Sequence, residues 1–371
     1  MYMLKTYKYR VFPTKKQITI MNQWLFECRW LYNHFLEERK NSYEQENKSL
    51  NYYSQAISIV KLKKGRPELN NIHSQVLQNV AIRIDLAFKA FFRRVKAKEK
   101  PGYPRFKGFD RYDSFTFPQT GFRIINNMIK LSKIGSIKVK FHRPIEGTIK
   151  TCTIRKQADK WYICISVDYE PKPLRKSNKA VGIDVGLETF ATLSTKEKVA
   201  NPRFFKTDEK ALTKAQRKLS KEEKGSLKRK NVKKVVIRIY ERISNRRHNF
   251  THQEARKIIN KFGIICIEKL KVKNMMSNHT KVFGHKLNKS IADVAWSQFA
   301  QQLFFKAEDA GRKIIAIDPR GTSQRCSQCG IMVKKDLSTR WHKCPVCGLH
   351  IHRDLNASYN ILALGMQSLA H

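Results

Sequence analysis

Two pairs of cysteines near the end of the chain constrain its fold more than any other feature. The four residues form two CxxC pairs separated by a short polar loop: Cys326 with Cys329, and Cys344 with Cys347. Each pair can place two thiolates on a tetrahedral Zn²⁺, and four thiolates leave no position for a reactive water. Two disulfides are the alternative, but the chain shows no sign of secretion. We therefore predict a structural zinc, with His342, His350 and His352 as possible substitute ligands.

The charge of the chain indicates its partner. Its 75 Lys and Arg against 30 Asp and Glu give a net charge of +45, which opposes compaction unless a polyanion binds. Nucleic acid is the leading partner, and an anionic membrane surface is the competing one. No apolar run is long enough for a spanning helix and no signal peptide is visible, so we expect a soluble protein. The remaining cysteines predict buried free thiols in a reducing compartment: Cys28, Cys152, Cys164 and Cys266.

The first half of the chain predicts an antiparallel sheet or small barrel with a helical section inserted into it. Leu4 to Val11 alternates like a strand, and a capping box at Thr14 to Gln17 opens a long helix. A second helix, with Ser74 as its cap, has an apolar stripe from Leu77 to Val95. Short alternating runs then predict further strands: Ser114 to Phe117, Met128 to Leu131, Ile137 to Phe141, Thr148 to Ile154 and Trp161 to Tyr169.

Two segments of this half are candidates for contact with nucleic acid. Gln75, Gln78, Asn79 and Arg83 lie on the face of the second helix opposite its apolar stripe, and amide and guanidinium groups can read base edges in a major groove. A solvated polar face is the alternative. The segment from Lys98 interleaves aromatic and basic side chains, which suits a strip that grips phosphate and stacks on bases. Its candidate members are Tyr103, Arg105, Phe106, Lys107 and Arg111.

Beyond a basic linker at 171–178, the pattern changes to alternating strands and helices. Ala180 to Leu193 predicts a strand, a turn and a second strand. Lys206 to Arg247 predicts a helix with one apolar stripe and basic faces, for which phosphate contact is the better interpretation. Phe262 to Leu270 is a continuous apolar run, typical of a strand buried on both faces. An amphipathic helix and another buried strand lead to the cysteines: Trp296 to Ala310 and Lys313 to Ile317.

Three carboxylates occupy positions typical of an active site. Asp184 lies within the first strand between Gly182 and Gly186, Glu268 ends a later strand, and Asp354 opens the last helix, where helix capping is the alternative role. The ribonuclease H type of fold collects acidic residues from such positions around two divalent ions, which clamp the attacking and leaving oxygens of a phosphodiester. Carboxylates suit Mg²⁺ better than zinc. We therefore predict a nuclease site.

Around these residues the sequence resembles a known family. GIDVG surrounds Asp184, IEKL contains Glu268 and RDLNASYNI contains Asp354, together with TSQRCSQCG, CPVCG and YPRFKG. These motifs resemble the TnpB proteins of bacterial insertion sequences, which are related to the type V CRISPR effectors. The resemblance implies that the three carboxylates are the catalytic triad. It implies a bacterial cytoplasmic enzyme, one monomer per guide RNA, that cuts double-stranded DNA beside a short motif with a guide transcribed from the transposon end.

The resemblance also implies a multidomain α+β fold. A wedge barrel (1–12 and 104–172) holds an inserted helical recognition domain (13–103), and a RuvC-like nuclease (173–320 and 350–371) is interrupted by a zinc-binding target-strand loading module (321–349). One residue departs from the family: position 352, commonly Asp, is His352 here. It is not a metal ligand in the family pattern, so activity should survive, although local water or metal geometry would differ. The chain also ends soon after the last helix.

Two other functions stay open at this point. A nuclease-silent, RNA-guided DNA-binding regulator would use the same scaffold, but loss of acidic residues would mark it, and all three carboxylates are present. A guide-independent transposase or resolvase would use the same triad on branched DNA or in strand transfer. Nucleic acid that co-purifies with the protein would separate this second alternative from a guided nuclease.

Overall fold

A computed structural model describes residues 2–109, 111–277, 284–336 and 339–370. The chain divides into two units, Met1–Glu170 and Pro171–His371. None of the helices in the described ranges is long and apolar enough to cross a membrane.

The first unit is built on a seven-stranded antiparallel sheet. Its strands are β1 (Met3–Phe12), β2 (Ser114–Phe117), β3 (Phe122–Ile125), β4 (Met128–Leu131), β5 (Gly135–Lys140), β6 (Thr148–Gln157) and β7 (Lys160–Tyr169). They lie in the order β2-β6-β7-β1-β5-β4-β3. The edge strands β2 and β3 are separated in sequence by residues 118–121, and the Phe117 and Phe122 rings lie 6.4 Å apart. The sheet therefore curls back toward closure, although its described strands form no ladder between β2 and β3.

Helices cover the concave core of this sheet. They are α1 (Lys15–Glu46), α2 (Tyr52–Gly65), a 3₁₀ turn (Pro67–Asn71) and α3 (Ser74–Lys96). The predicted capping box is confirmed, since the Thr14 hydroxyl accepts from the Gln17 backbone and the Gln17 side chain accepts from the Thr14 backbone. Trp24 on α1 packs against Phe115 of β2, with ring centroids 5.2 Å apart. One apolar core thus joins the helices to the sheet.

The structure differs from the sequence pattern of this unit in three details. The N-cap of α3 is His73, with no side-chain capping bond, so Ser74 is the first helical residue and not the cap. The buried stripe of α3 ends at Phe88. Beyond it, Phe91 contacts the ring of Tyr103 at 5.4 Å near the surface, because the following segment and not the core packs there. Strand β3 was not predicted, because its side chains are at most half-buried and its alternation is weak.

The second unit contains a mixed five-stranded sheet in the order β10-β9-β8-β11-β12. The strands are β8 (Ala180–Val185), β9 (Thr189–Leu193), β10 (Lys198–Ala200), β11 (Ile264–Glu268) and β12 (Lys313–Ile317), followed by a separate hairpin of β13 (Trp341–Lys343) and β14 (His350–His352). β8, β11 and β12 are parallel, and β9 and β10 are antiparallel to their neighbours. β12 is an edge strand and only its last residue is buried, so the prediction of a fully buried strand is wrong.

The helices of this unit are α4 (Phe204–Lys221), α5 (Leu227–Lys261), α6 (Val272–Ser277), α7 (Gly284–Val294), α8 (Trp296–Ala310) and α9 (Arg353–Ala370). α5 and α8 contribute to the core on one face, and α9 packs on β8 and β11 on the other. The single helix predicted within Lys206 to Arg247 is wrong. Gly225, with a φ of +94°, lies in a break that separates α4 from α5, and Leu212, Val236 and Ile239 pack the two helices together.

Candidate functional site

Asp184 lies in strand β8, in the middle of the mixed sheet. Because side chains alternate along a strand, Val181 and Ile183 enter the core while Gly182 and Asp184 occupy the opposite face. A Cβ at Gly182 would lie 2.1 Å from the carbonyl oxygen of Ser358, which belongs to α9. Gly182 therefore leaves room for the backbone of α9.

Glu268 ends strand β11 beside Asp184. The two strands are parallel, and Ile267 is paired with Ile183. The next residues along the strands, Glu268 and Asp184, are therefore neighbours on the face covered by α9. The carboxyl ends of parallel strands are where open α/β sheets place their ligand sites.

Asp354 approaches the same place from the start of α9. It is the second residue of that helix and its carboxylate is buried. The helix can lie close to the strands because Gly365 also faces them: a Cβ there would lie 2.2 Å from the sulfur of Cys266 on β11. Gly182 and Gly365 together set the height of α9, and so of Asp354, above the sheet.

The three carboxylates share one electrostatic environment. Burial, followed by the negative charges of Glu268 and Asp354, raises the pKa of Asp184 well above its ordinary value. Burial likewise raises the pKa of Glu268. Such a group resists ionisation unless a nearby cation compensates its charge. Among the described residues only the four cysteines are close enough to enclose one ion, so the carboxylates form a wider group.

His352 and Arg353 contact the carboxylate of Asp354. Arg353 Nε donates to Asp354 Oδ1 at 3.3 Å. The Asp354 backbone N–H donates to His352 Nδ1 at 3.3 Å, and this nitrogen lies 3.8 Å from Asp354 Oδ2. At the position where the family commonly has a carboxylate, an imidazole thus lies directly beside the third acidic residue.

Thr322, which was not predicted, joins the cysteine loop to the carboxylates. Its hydroxyl donates to Glu268 Oε1 at 2.6 Å. Asn360 of α9 donates to the Thr322 carbonyl at 2.8 Å, and Asn356 and Asn360 both donate to the Arg325 carbonyl at 2.7 Å. Thr322 and both asparagines are buried. The loop that leads to the first cysteine pair is therefore fixed to the helix of one candidate ligand and to the side chain of another.

The four predicted cysteine ligands meet at one point. Their sulfur atoms all lie within 4.8 Å of one another. Cys326 and Cys347 are 3.6 Å apart and Cys329 and Cys344 are 3.5 Å apart, near the roughly 3.8 Å edge of a tetrahedron with Zn–S bonds of about 2.3 Å. The backbone N–H of Cys347 lowers the pKa of the Cys344 thiol to about 6, whereas burial and the neighbouring Cys344 and Cys326 thiols raise the pKa of Cys347, so the clustered sulfurs cannot all ionise without a cation. The donor set therefore fits a structural zinc.

The histidines proposed as substitute ligands lie outside this set. His342 is fully buried and its Nδ1 contacts the Nζ of Lys335. His350 and His352 are on strand β14 beside the ring of Trp341. Four sulfurs already complete a tetrahedron, which leaves these imidazoles no position in it.

The predicted reading face of α3 is largely used within the fold. Arg83 Nη1 donates to the Ser114 carbonyl at 2.7 Å, and Arg83 Nε donates to the Asn79 amide oxygen at 3.1 Å. Gln75 Oε1 accepts from the backbone and hydroxyl of Thr120, both at 3.0 Å. The premise that all four side chains are free is therefore wrong, because the edge strand β2 and its turn contact this face.

Gln78 remains exposed on that face. It is therefore the member of the set that still presents its amide to solvent.

The segment proposed as a basic aromatic strip is largely exposed, with Lys107 half-buried. Asn33 of α1 holds it, because its side chain accepts from the Lys107 backbone N–H at 2.8 Å and donates to the Lys107 carbonyl at 3.1 Å. Phe106 and Phe109 are 54% and 76% exposed. Arg105 and Arg111 are also exposed, whereas Asp110 lies outside the described residues.

The two buried asparagines of α9 were not predicted, although the sequence contains a partial signal for them. Asn356 and Asn360 are four residues apart in an otherwise apolar helical segment, and such buried amides require partners. Their acceptors lie 31 to 38 residues earlier in the chain, so the partners do not follow from spacing.

Three known protein families match parts of this chain, and the matched parts include the three carboxylates and the four cysteines. A family described as "Probable transposase" matches residues 162–279, the Cas12f1-like TNB domain matches 296–361 and a helix-turn-helix domain matches 1–48. The last region forms strand β1 and the single helix α1 here.

Individual relatives extend over nearly the whole chain. "Putative RNA-guided DNA endonuclease InsQ" of Escherichia coli (strain K12) is 31% identical over 99% of this chain and 94% of its own length. A "Putative RNA-guided DNA endonuclease" of Streptomyces pristinaespiralis is 30% identical over 99% of this chain and 90% of its own length. The mini-RNA-guided endonuclease CRISPR-Cas_phi3 has a similar fold, with a TM-score of 0.52 and 10% identity over 98% of this chain and 92% of that structure. On the whole-length similarity to these relatives, the chain belongs to the TnpB family.

Proposed function

We propose that this protein is an RNA-guided DNA endonuclease that cuts double-stranded DNA beside a short transposon-associated motif by two-metal-ion phosphodiester hydrolysis. The observation that carries the nuclease part is the convergence of Asp184, Glu268 and Asp354 on one face of the mixed sheet. The guided part is supported by relatives of matching length that are named RNA-guided DNA endonucleases.

The two units provide the parts that such an enzyme needs. The strand order β10-β9-β8-β11-β12, with two strands parallel to β8 and two antiparallel, supports a RuvC-like nuclease domain of the ribonuclease H type. The curled antiparallel sheet supports the wedge barrel, and the helices between β1 and β2 support a recognition domain inserted into it. The cysteine centre between β12 and α9 supports a loading module for the target strand.

In this proposal Asp184, Glu268 and Asp354 would hold two Mg²⁺ ions, which would supply an activated water for attack on the phosphorus and positive charge beside the leaving oxygen. Burial and the negative charges of Glu268 and Asp354 raise the pKa of Asp184, so a cation that compensated these charges would stabilise its ionised form. Thr322 orients Glu268 through its 2.6 Å hydrogen bond, and the zinc centre holds the loop that positions Thr322.

The remaining surface binds nucleic acid in this proposal. A net charge of +45 supplies the counter-charge for the phosphates of a guide RNA and a DNA duplex. Gln78 is the exposed candidate for reading a base edge on α3. The strip around Phe106 and Phe109 offers exposed rings for unpaired bases between basic residues.

Replacement of the guide tests this function. RNA that co-purifies with the protein is sequenced, and its variable segment is then exchanged for one that matches a new target. The proposal predicts cleavage of the new target in Mg²⁺ and none of the old one, with one protein chain per RNA by mass measurement. Cleavage that ignores the exchanged segment would establish a guide-independent nuclease instead.

A further inference from the structure

The β13–β14 hairpin places four side chains on its outer face. Trp341 is paired with His352, and Lys343 is paired with His350. Directly paired residues share a face, and residues two apart share it as well. His342, between Trp341 and Lys343, points the opposite way and is fully buried.

The indole of Trp341 contacts two imidazoles and is still about half exposed. Its ring centroid lies 5.1 Å from that of His350 and 5.8 Å from that of His352. Nevertheless, Trp341 is 52% exposed. Contacts with two neighbouring imidazoles restrict the ring, so a flat ligand can stack on its open surface with little loss of side-chain entropy.

This aromatic surface lies beside the candidate active site. His352, the partner of Trp341, has its Nδ1 3.8 Å from Asp354 Oδ2. The surroundings are basic: Arg340 precedes Trp341 and is exposed, and Lys343 is exposed on the same face. The ion pair of Arg340 with Glu188 is itself exposed, so it would yield to a phosphate at little cost.

We infer that Trp341 is a stacking platform for an unpaired base of the DNA strand that enters the active site. A ring flanked by cations suits a single strand, since stacking uses the base face and the cations neutralise the backbone. A duplex covers its base faces with neighbouring pairs, so it would not occupy this surface. The inference rests on the proposed nuclease function and names how its substrate strand is held.

Tryptophan fluorescence tests the platform without any need for cleavage. Of the five tryptophans, Trp24, Trp161 and Trp296 are buried and Trp30 is half-buried, so Trp341 is the exposed reporter. A thymidine oligonucleotide, titrated into the full-length protein without Mg²⁺, should quench this emission. Trp341→Phe should abolish the quenching but keep most of the affinity. Trp341→Ala should weaken binding by about 5- to 150-fold, the loss of one base–aromatic stack.

Matched controls separate stacking from a damaged fold. Phe304 is an exposed aromatic on α8, 45% accessible, and Phe304→Ala should leave oligonucleotide binding unchanged. Trp341→Ala should retain its zinc and its unfolding temperature. Absence of quenching, or an unchanged affinity in Trp341→Ala, would overturn the inference whether or not guided cleavage is observed.

A second experiment locates the base on the target. In guided cleavage, an abasic nucleotide next to the scissile phosphate should slow the wild-type enzyme at one position, and Trp341→Ala should be insensitive to that same change. If the abasic nucleotide and the substitution slowed cleavage independently, so that their effects multiplied, stacking between them would be contradicted. One contact can be lost only once.

Discussion

Gly182→Ala should disable the enzyme by moving one helix, without removing any functional group. The added methyl would lie 2.1 Å from the Ser358 carbonyl oxygen and 2.6 Å from the Leu362 nitrogen. Both atoms belong to the α9 backbone, which cannot turn aside as a side chain can. An ordinary contact begins at 3.4 Å, so α9 must retreat by about 1.3 Å.

This displacement carries Asp354 away from Asp184 and Glu268. A misplacement of about 1 Å in a catalytic group can cost roughly 100-fold in rate, and we expect a loss of that order in guided cleavage. Overpacking typically costs about 1–3 kcal/mol, so the unfolding temperature should fall by roughly 2–12 °C. Binding of RNA and retention of zinc should persist, because neither depends on this contact.

The assay compares single-turnover cleavage by Gly182→Ala with that by Gly65→Ala. Gly65 ends α2, and a Cβ there would meet nothing within 4 Å, so the control adds the same methyl without a clash. It should cleave at the wild-type rate. A folded Gly182→Ala variant that also cleaves at the wild-type rate would refute the argument that this glycine sets the position of Asp354.

Four further predictions concern Thr322, the cysteine centre, Gln78 and the pKa of Asp184. Thr322→Val should weaken Mg²⁺ binding by about 10–100-fold, measured by calorimetry, and Thr322→Ser should restore it, because the hydroxyl orients Glu268; equal affinities would exclude this role. Cys344→Ser should lose most of its zinc by elemental analysis and lose cleavage more than RNA binding, whereas a zinc-free wild-type protein would refute the centre. Gln78→Ala should reduce cleavage about tenfold at the preferred motif, and a target with a pre-opened bubble at the motif should restore it. An unchanged motif preference would indicate that the aromatic strip, and not α3, recognises the motif. Since the pKa of Asp184 is raised in the folded state, the metal-free protein binds protons more tightly than the unfolded chain, and its stability should rise as the pH falls from neutral toward the ordinary carboxyl range. Thermal unfolding of Asp184→Asn should show a flatter pH profile, and an unchanged slope would contradict the raised pKa.

Features set by local spacing could be predicted from the sequence. The CxxC pairs bring four sulfurs together because each turn is short, and Gly330 and Gly348 supply the positive φ that follows each pair. The alternation of side chains along β8 places Ile183 in the core and Asp184 on the opposite face. In each case a few neighbouring residues determine the outcome.

Features set by contacts between residues distant in sequence could not be predicted. Helix α3 has the same amphipathic pattern whether its polar side faces solvent or an edge strand. The sequence therefore did not indicate that Arg83 donates to the Ser114 carbonyl. A basic helix and a basic helical hairpin share the same periodicity; the break is marked by the positive φ of Gly225 and by Ser226, whose hydroxyl accepts from the Arg229 backbone N–H and caps α5. The bond from Thr322 to Glu268 joins residues 54 positions apart, and no local pattern encodes it.

The three carboxylates are tested by cleavage of a guide-matched duplex in Mg²⁺, with the bound fraction measured in the same samples. Asp184→Asn, Glu268→Gln and Asp354→Asn should each abolish cleavage while the target stays bound, because each removes metal-binding charge and leaves the basic surface intact. Full cleavage by any one of these variants would contradict the assignment of that carboxylate to a two-metal nuclease site.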